Sequence, residues 1–402
     1  MIKRELYMRR IRPFIGGDLI KVLTGLRRSG KSVMLELIRQ ELIENGVSPD
    51  NIISFNFEDM RLSRLRTAEA LHAEIMNRSE TLSGKVYLFF DEIQEVADWE
   101  KCVNSLRVTL DSDIYITGSN ARLLSGELAT YLGGRYVEFV IYPFSFAEFV
   151  EIYRQKFPNA DTALCFRQYM KFGGMPYLAN LGYEPEPSLQ YLTDVFSSVQ
   201  LKDIVKRNNI RDVDLLERIV EYIVSNVGMT FSASSISKFL KSEHRSVSVE
   251  TVLNYIKYCC DAFLFCGIRR QDLQGKQILA TNEKYYMADH GFREAVFGNN
   301  TKDINLVLEN IVCMELLRRG YSVCIGKNGD REIDFVCTKN SDRFYVQVTY
   351  LLASDDTIRR EFGAYEGIND NFPKYVLSLD EFDMSRNGII HLNLRDFLLN
   401  EK

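Results

Sequence analysis

The chain has 402 residues, 46% hydrophobic and 26% charged, proportions of a globular protein that is too long for one hydrophobic core. Its 50 basic and 55 acidic residues are spread along the chain and leave a net charge of −5, which excludes a global field for nucleic acid or anionic lipid. No apolar run approaches the roughly 20 residues that span a bilayer, the basic start MIKRELYMRRIRPF lacks a signal-peptide core, and eight cysteines without a CxxC pair beside four scattered histidines argue against disulfides and zinc.

A cytoplasmic protein without a membrane partner is therefore expected. In chain order, the apolar run LIKVLT (19–24) leads into GLRRSGKS, after which VMLELIRQELIEN has helical spacing. Strand-like runs follow at 52–57, 85–92, 114–119 and 136–142, with helical periodicity between them. Strands alternating with helices of this length predict a parallel sheet covered on both faces.

Helical periodicity continues over about 145–205, broken at Phe172-Gly-Gly-Met-Pro176 and at Glu184-Pro-Glu-Pro187, the latter a seam in a small helical lid. Three helix-like segments at 214–227, 232–241 and 248–262 precede two strand-like runs around Gln274-Gly275, the pattern of a winged helix. After the loop Gly298-Asn-Asn300, a helix, three strand-like runs, a second helix and a fourth strand-like run predict a small α/β unit.

GLRRSGKS satisfies Gly-x-x-x-x-Gly-Lys-[Ser/Thr] between a strand and a helix. The loop Gly25, Leu26, Arg27, Arg28, Ser29, Gly30, Lys31, Ser32 and Val33 is read as a triphosphate cradle. Its glycines let backbone N–H groups turn inward, the helix start adds its positive end, and the Lys31 ammonium reaches the β and γ phosphates. Ser32 would hold Mg²⁺ through its hydroxyl. Val86-Tyr-Leu-Phe-Phe-Asp-Glu92 ends an apolar strand in two acids. Beside a P-loop these read as a Mg²⁺ carboxylate, Asp91, and a water-polarising base, Glu92. Ser119 and Asn120 end the next strand; they either sense the γ-phosphate or simply close the strand. Arg135 follows a Gly-Gly turn and is either a finger for a neighbouring subunit's nucleotide or a surface ion-pair partner.

GLRRSGKS, FFDEIQEVADWE and ITGSNARLLSGELATYLGGRYVEFVIYPFSFAEF together resemble the prokaryotic AAA+ ATPases with an AAA_14-type core and a C-terminal DUF4143 region. FGGMPYLANL, KYYMADHGFREAVFG and LENIVCMELLRRGY…REIDFV agree, so the resemblance covers nearly the whole chain. It implies an α/β P-loop core with a RecA-like parallel sheet over 1–145, a helical lid over 146–205, a winged helix over 206–298 and a domain similar to the PD-(D/E)xK nuclease fold over 299–402. It also implies ATP rather than GTP as nucleotide, and homo-oligomers with shared sites.

In the tail, Asp334 stands where the first nuclease acid belongs and Glu309 could support it. Gln347 and Thr349 replace the Glu and Lys that metal binding and water activation need, so cleavage is not expected from this degenerate site. Lys327 or Lys339 could substitute for the lysine. Lys238, Lys241, His244, Arg245, Arg269, Arg270 and Lys276 could meet DNA phosphates, but Glu243, Glu250, Asp261 and Asp272 interleave with them. The reading is an ATP-hydrolysing machine acting on DNA or another partner. The alternatives are a slow nucleotide-gated protein-binding switch and an ATP-regulated nuclease.

Overall fold

A computed structural model describes residues 2–121, 132–275, 277–298 and 300–400, with backbone alone at 277–282. Two compact units emerge, residues 1–142 with 261–263, and residues 143–260 with 264–402. Among the described residues, no helix is long and apolar enough to cross a membrane.

The first unit is built on five parallel strands, β1 (Ile20–Thr24), β2 (Ile52–Asn56), β3 (Val86–Asp91), β4 (Ser112–Thr117) and β5 (Tyr136–Val140). Their order across the sheet is β2-β3-β4-β1-β5. Successive side chains alternate between faces, and both faces are apolar. Ile20, Val22, Leu88, Phe90, Ile114 and Ile116 pack under α3 (Ala68–Ser79) and α4 (Trp99–Thr109). Leu23, Phe89 and Tyr115 face the other way, onto α1 (Glu5–Ile11) and α2 (Lys31–Glu44). In α2 the buried positions Met34, Leu35, Ile38 and Leu42 form one stripe at helical spacing. Five of the expected strand positions are thus occupied by strands, in the expected parallel arrangement.

At the amino ends of the strands lies an ion pair, Lys21 with Asp113, both side chains wholly buried. Lys21 Nζ also donates to the Leu19 carbonyl at 2.8 Å. Asp113 Oδ2 accepts from the Gly16 N–H at 2.6 Å and from the Tyr115 hydroxyl at 2.8 Å.

In the second unit, helices Phe146–Lys156, Thr162–Phe172 and Pro185–Ser198 are followed by a π-helical stretch, Val199–Lys206. The Pro-rich stretch is the start of a helix rather than a seam: Glu184 is its N-cap and Pro185 its first residue, where a missing N–H costs nothing. The FGGMP loop is pinned from elsewhere in the unit. Asp289 Oδ2 accepts from the Gly174 N–H at 2.8 Å, and a Cβ on Gly174 would stand 2.2 Å from the Phe144 carbonyl oxygen. Only glycine permits that approach.

Helices Val213–Ser225, Ala233–Ser242 and Val249–Asp261 precede a hairpin of β6 (Phe265–Asp272) and β7 (Gln277–Met287). The hairpin is not a free wing. β6 pairs in parallel with β8 (Ser322–Asn328), making the hairpin one end of a seven-stranded sheet. The rest is β9 (Arg331–Lys339), β10 (Asp342–Val348), β11 (Lys374–Ser378) and β12 (Ile390–Asn393), in the order β12-β11-β10-β9-β8-β6-β7. An exposed strand edge offers unpaired N–H and C=O groups, and β8 supplies their partners.

Lys21→Met strands a buried carboxylate and is expected to lower unfolding stability by about 3–5 kcal/mol. The double variant Lys21→Met/Asp113→Leu regains much of that. Urea denaturation followed by circular dichroism measures both; equal losses in the two proteins would refute the pairing as the cause.

Candidate functional site

The carboxyl ends of β1, β3 and β4 are adjacent, and each ends in polar groups. From β1 the chain enters the loop at Gly25, whose φ is +136° and whose Cβ would meet the Ile141 carbonyl oxygen at 2.3 Å. Glycine is obligatory there. Gly30, at φ +99°, is the N-cap of α2 and turns the loop into the helix. Leu26 is buried, Arg28 is left-handed at φ 69°, and Arg27 lies 3.7 Å from Glu58. Ser29 is wholly buried and its Oγ has no hydrogen-bond partner among the described residues. Ser32 and Val33, in the first turn of α2, are exposed.

Lys31 is buried, and its Nζ donates to the carbonyls of Gly25 at 3.1 Å and Leu26 at 3.0 Å. The ammonium is therefore folded back into its own loop, within reach of the space the loop encircles. Arg4, a residue the sequence did not single out, is buried beneath the same loop. It donates to the carbonyls of Ser29 at 3.0 Å and Tyr142 at 2.8 Å and stacks over Tyr7. Its only sequence signal was membership in the basic amino-terminal segment.

Asp91 ends β3, buried and held at both oxygens. Thr117 Oγ1 donates to Oδ1 at 2.5 Å, and Asn56 Nδ2, in register with Asp91 on β2, donates to Oδ2 at 3.2 Å. The same Thr117 oxygen accepts from the Glu92 N–H at 2.9 Å. Burial pushes the Glu92 carboxyl above the ordinary glutamate range, a shift opposed by Lys31 and by a hydrogen bond from Gln94. Glu92 is thereby electrostatically linked to the P-loop lysine. Ser119 and Asn120 follow β4 and are buried, with the Gly118 N–H tied to the Leu23 carbonyl of β1 at 3.1 Å.

Arg135 is not part of this cluster. Its carbonyl accepts from the Ile20 N–H at 3.0 Å, which puts it at the amino end of β1, opposite the loop. Its exposed guanidinium donates to Asn104 Oδ1 at 3.3 Å. The loop, Asp91, Glu92, Ser119 and Asn120 are brought together at one sheet edge; Arg135 is not. The buried orphan hydroxyl, the glycine cradle, the ammonium and the paired carboxylates are a donor set that fits a triphosphate with Mg²⁺. The exposed Ser32 hydroxyl and Asp91 are the groups that could hold the ion.

A second cluster lies in the other unit, beside a cavity of about 590 Å³. Glu309, Asp334, Gln347 and Thr349 do converge there. Gln347 stitches backbone and side chain, its Oε1 accepting from the Asp334 N–H at 2.7 Å and its Nε2 donating to Glu361 at 3.0 Å. Thr349 is buried, its N–H spent on the Leu377 carbonyl. The nearby lysine is neither Lys327 nor Lys339, the latter donating to the Arg319 carbonyl. It is Lys284 of β7, 3.0 Å from Glu309 and 2.8 Å from Glu332. Burial pulls its pKa down, but Glu309, Asp334 and Glu332 outweigh that and hold it above the usual lysine range. Burial and the Glu309 charge push Asp334 well above the usual aspartate range.

Of the cations expected to face DNA, Arg245 is clamped to Asp212 at 2.7 Å and also to Asp214. Arg270 pairs with Glu332 at 3.3 Å, and Arg269 lies 3.7 Å from Glu283. Lys238, Lys241 and His244 are exposed. Lys276 lies outside the described residues, as does 122–131 of the resembling segment.

Residues 18–150 match the AAA domain family AAA_14. Residues 164–303 match a domain of unknown function, DUF8612, where DUF4143 was expected. An uncharacterized protein of Haemophilus influenzae is 38% identical over 400 residues, 99% of either chain. Uncharacterized protein MJ1544 of Methanocaldococcus jannaschii is 30% identical over 363 residues, 86% of this chain and 78% of its own. The chain belongs to the family of these two proteins, and its first unit is an AAA+ nucleotide-binding P-loop ATPase domain. AMPPCP-bound DnaA from Aquifex aeolicus is similar over 62% of this chain and 84% of its own, at 14% identity and a TM-score of 0.32, too distant to carry an argument.

Thr117→Val removes both bonds at the Asp91-Glu92 corner. It is expected to weaken Mg²⁺-dependent binding of a fluorescent ATP analogue about tenfold, or about 1.4 kcal/mol. Equal affinity in the two proteins with Mg²⁺ present would count against that corner as the ion's seat.

Proposed function

We propose that the protein hydrolyses MgATP and uses the cycle to change the partner surface carried by its second unit. The observation that supports this most is the shared Thr117 hydroxyl, which fixes Asp91 and Glu92 together at the mouth of a P-loop. Bound Mg²⁺ supplies charge neutralisation at the phosphate oxygens. The chain's own groups do the rest in this reading. Lys31 exchanges the Gly25 and Leu26 carbonyls for phosphate oxygens, while backbone N–H groups of Gly25 to Ser32 line the cradle. Ser32 and Asp91 hold the ion, and Glu92 takes the proton of the attacking water. Ser119 or Asn120 reads the γ-phosphate from the end of β4. Arg135, remote from the site of its own chain, serves as finger only for a neighbouring copy, which makes the working form a homo-oligomer.

The three helices before β6 are read as a winged helix whose wing has been drawn into the last sheet, and the domain after them as nuclease-like and retained for architecture. Ion pairing of Arg245 and Arg270 favours a nucleotide-gated protein contact over DNA as the output. DNA remains the second reading, through Lys238, Lys241 and His244.

Phosphate release from ATP with Mg²⁺ tests the main reading. Glu92→Gln is expected to cut turnover by about 10²-fold or more while nucleotide binding persists. Stimulation by duplex DNA would move the output from protein to nucleic acid. Absence of wild-type turnover at every protein concentration, despite ATP binding, would leave a passive switch in place of an ATPase.

A shared site has its own signature. Arg135→Ala and Lys31→Ala proteins, each inactive alone, are expected to recover activity when mixed, since one supplies the P-loop and the other the arginine. Failure of every mixture to recover would remove Arg135 as a finger.

A further inference from the structure

We infer that Gln94 is the positioning residue for Glu92, the side chain that decides which face of the proposed base is offered to water; this rests on the ATPase reading above. Glu92 has φ 54° and ψ 50°, the left-handed region that residues other than glycine seldom enter. The short 3₁₀ turn Ile93–Glu95 follows directly and brings Gln94 back to the carboxylate. There its amide nitrogen donates to Glu92 Oε2.

A carboxylate only accepts hydrogen bonds, so the amide has to turn its nitrogen toward Glu92 and its oxygen away. That oxygen is buried and has no hydrogen-bond partner among the described residues. A buried acceptor left unsatisfied is unfavourable, and native proteins keep few of them. The amide thus forgoes a bond of its own in order to hold Glu92. The Glu92 main chain is fixed separately, by its N–H on Thr117 Oγ1 at 2.9 Å. Glu92 is therefore anchored at both ends, the backbone by β4 and one carboxylate oxygen by Gln94. The second oxygen, Oε1, is the one left for water.

In the proposed reaction the water oxygen bonds to the γ-phosphorus as the bond to the bridging oxygen breaks, its electron pair leaving with ADP. The water proton passes to Glu92 Oε1. Gln94 exchanges no proton and changes only the orientation of the acceptor.

Gln94→Met keeps the side-chain length and removes both polar atoms. It is expected to lower kcat about 10- to 100-fold, the scale of a base misplaced by about an ångström, with KM within about twofold of wild type. Affinity for ADP–beryllium fluoride, which mimics bound ATP, should be unchanged, whereas affinity for ADP–aluminium fluoride, which mimics the in-line transition state, should fall. Gln94→Asn, one methylene short of Glu92, should behave the same way, with thermal denaturation as the check on folding. Normal kcat in both variants would overturn the inference, as would parallel loss of both fluoride complexes, the mark of a packing role. A wild-type protein that turns over no ATP would fail the ATPase reading itself, and the inference with it.

Discussion

One hydroxyl holds together the groups on which the site depends. Thr117, the last residue of β4, donates to Asp91 and accepts from the Glu92 backbone, so both acids of β3 are referenced to a neighbouring strand. A carboxylate at the end of a strand is otherwise free to swing in solvent, and ordering it costs side-chain entropy. Here the cost is met by two side-chain donors on Asp91 and one acceptor for the awkward left-handed N–H of Glu92. The neighbours are possible only because β2, β3 and β4 are consecutive in a parallel sheet, which aligns all their carboxyl ends. In an antiparallel sheet every second end would point away.

That alignment depends in turn on burial of both sheet faces. β1, β3 and β4 are buried along their whole or nearly whole lengths, so the polar groups of these strands concentrate at their ends. At the amino end the wholly buried charged pair, Lys21 with Asp113, is internally matched. At the carboxyl end the polar groups are matched only in part: Ser29 Oγ and Gln94 Oε1 are buried and have no partner among the described residues. Both of these open groups lie beside the carboxyl ends of the strands, where the P-loop belongs. Gly25 fixes the loop there by lying against the Ile141 carbonyl, closer than any side chain would permit.

The features legible in the sequence are those that local periodicity and a contiguous motif can carry. LIKVLT before GLRRSGKS announced β1, the loop and α2 because strand, glycine turn and helix are all set by neighbours in the chain. VYLFFDE announced β3 with its acids by the same logic. Thr117 and Gln94 were not legible, since a threonine at a strand end and a glutamine after two acids are ordinary residues until the sheet order is known. Asn56 acquires its role only through register with Asp91, 35 residues on. The hairpin was legible as two strands around a turn, but not its attachment: β6 pairs with β8 across more than 50 residues, and periodicity reports burial without naming the neighbour. Arg135 reads as projecting from a Gly-Gly turn, and it does project, at the end of the sheet away from the nucleotide loop.

Attachment of the hairpin also explains the chemistry of the second cluster. Glu309, Glu332 and Asp334 gather around one buried region, and three carboxylates in a low-dielectric setting repel one another strongly. By drawing β7 into the same sheet as β9, the fold introduces Lys284 between Glu309 and Glu332, and adds the Tyr286 hydroxyl as a donor to Glu309. The lysine that a nuclease-like reading seeks two residues beyond Gln347 is absent there, yet an ammonium reaches the acids from a strand about 60 residues earlier. Its two close ion pairs make it a counter-charge that ties hairpin, helix Ile304–Arg318 and β9 together. A buried pair of this kind contributes little net stability, because desolvation offsets much of the attraction. The continuity of the seven strands rests on the backbone pairing of β6 with β8, and the Lys284 pairs bridge the same elements by side chain.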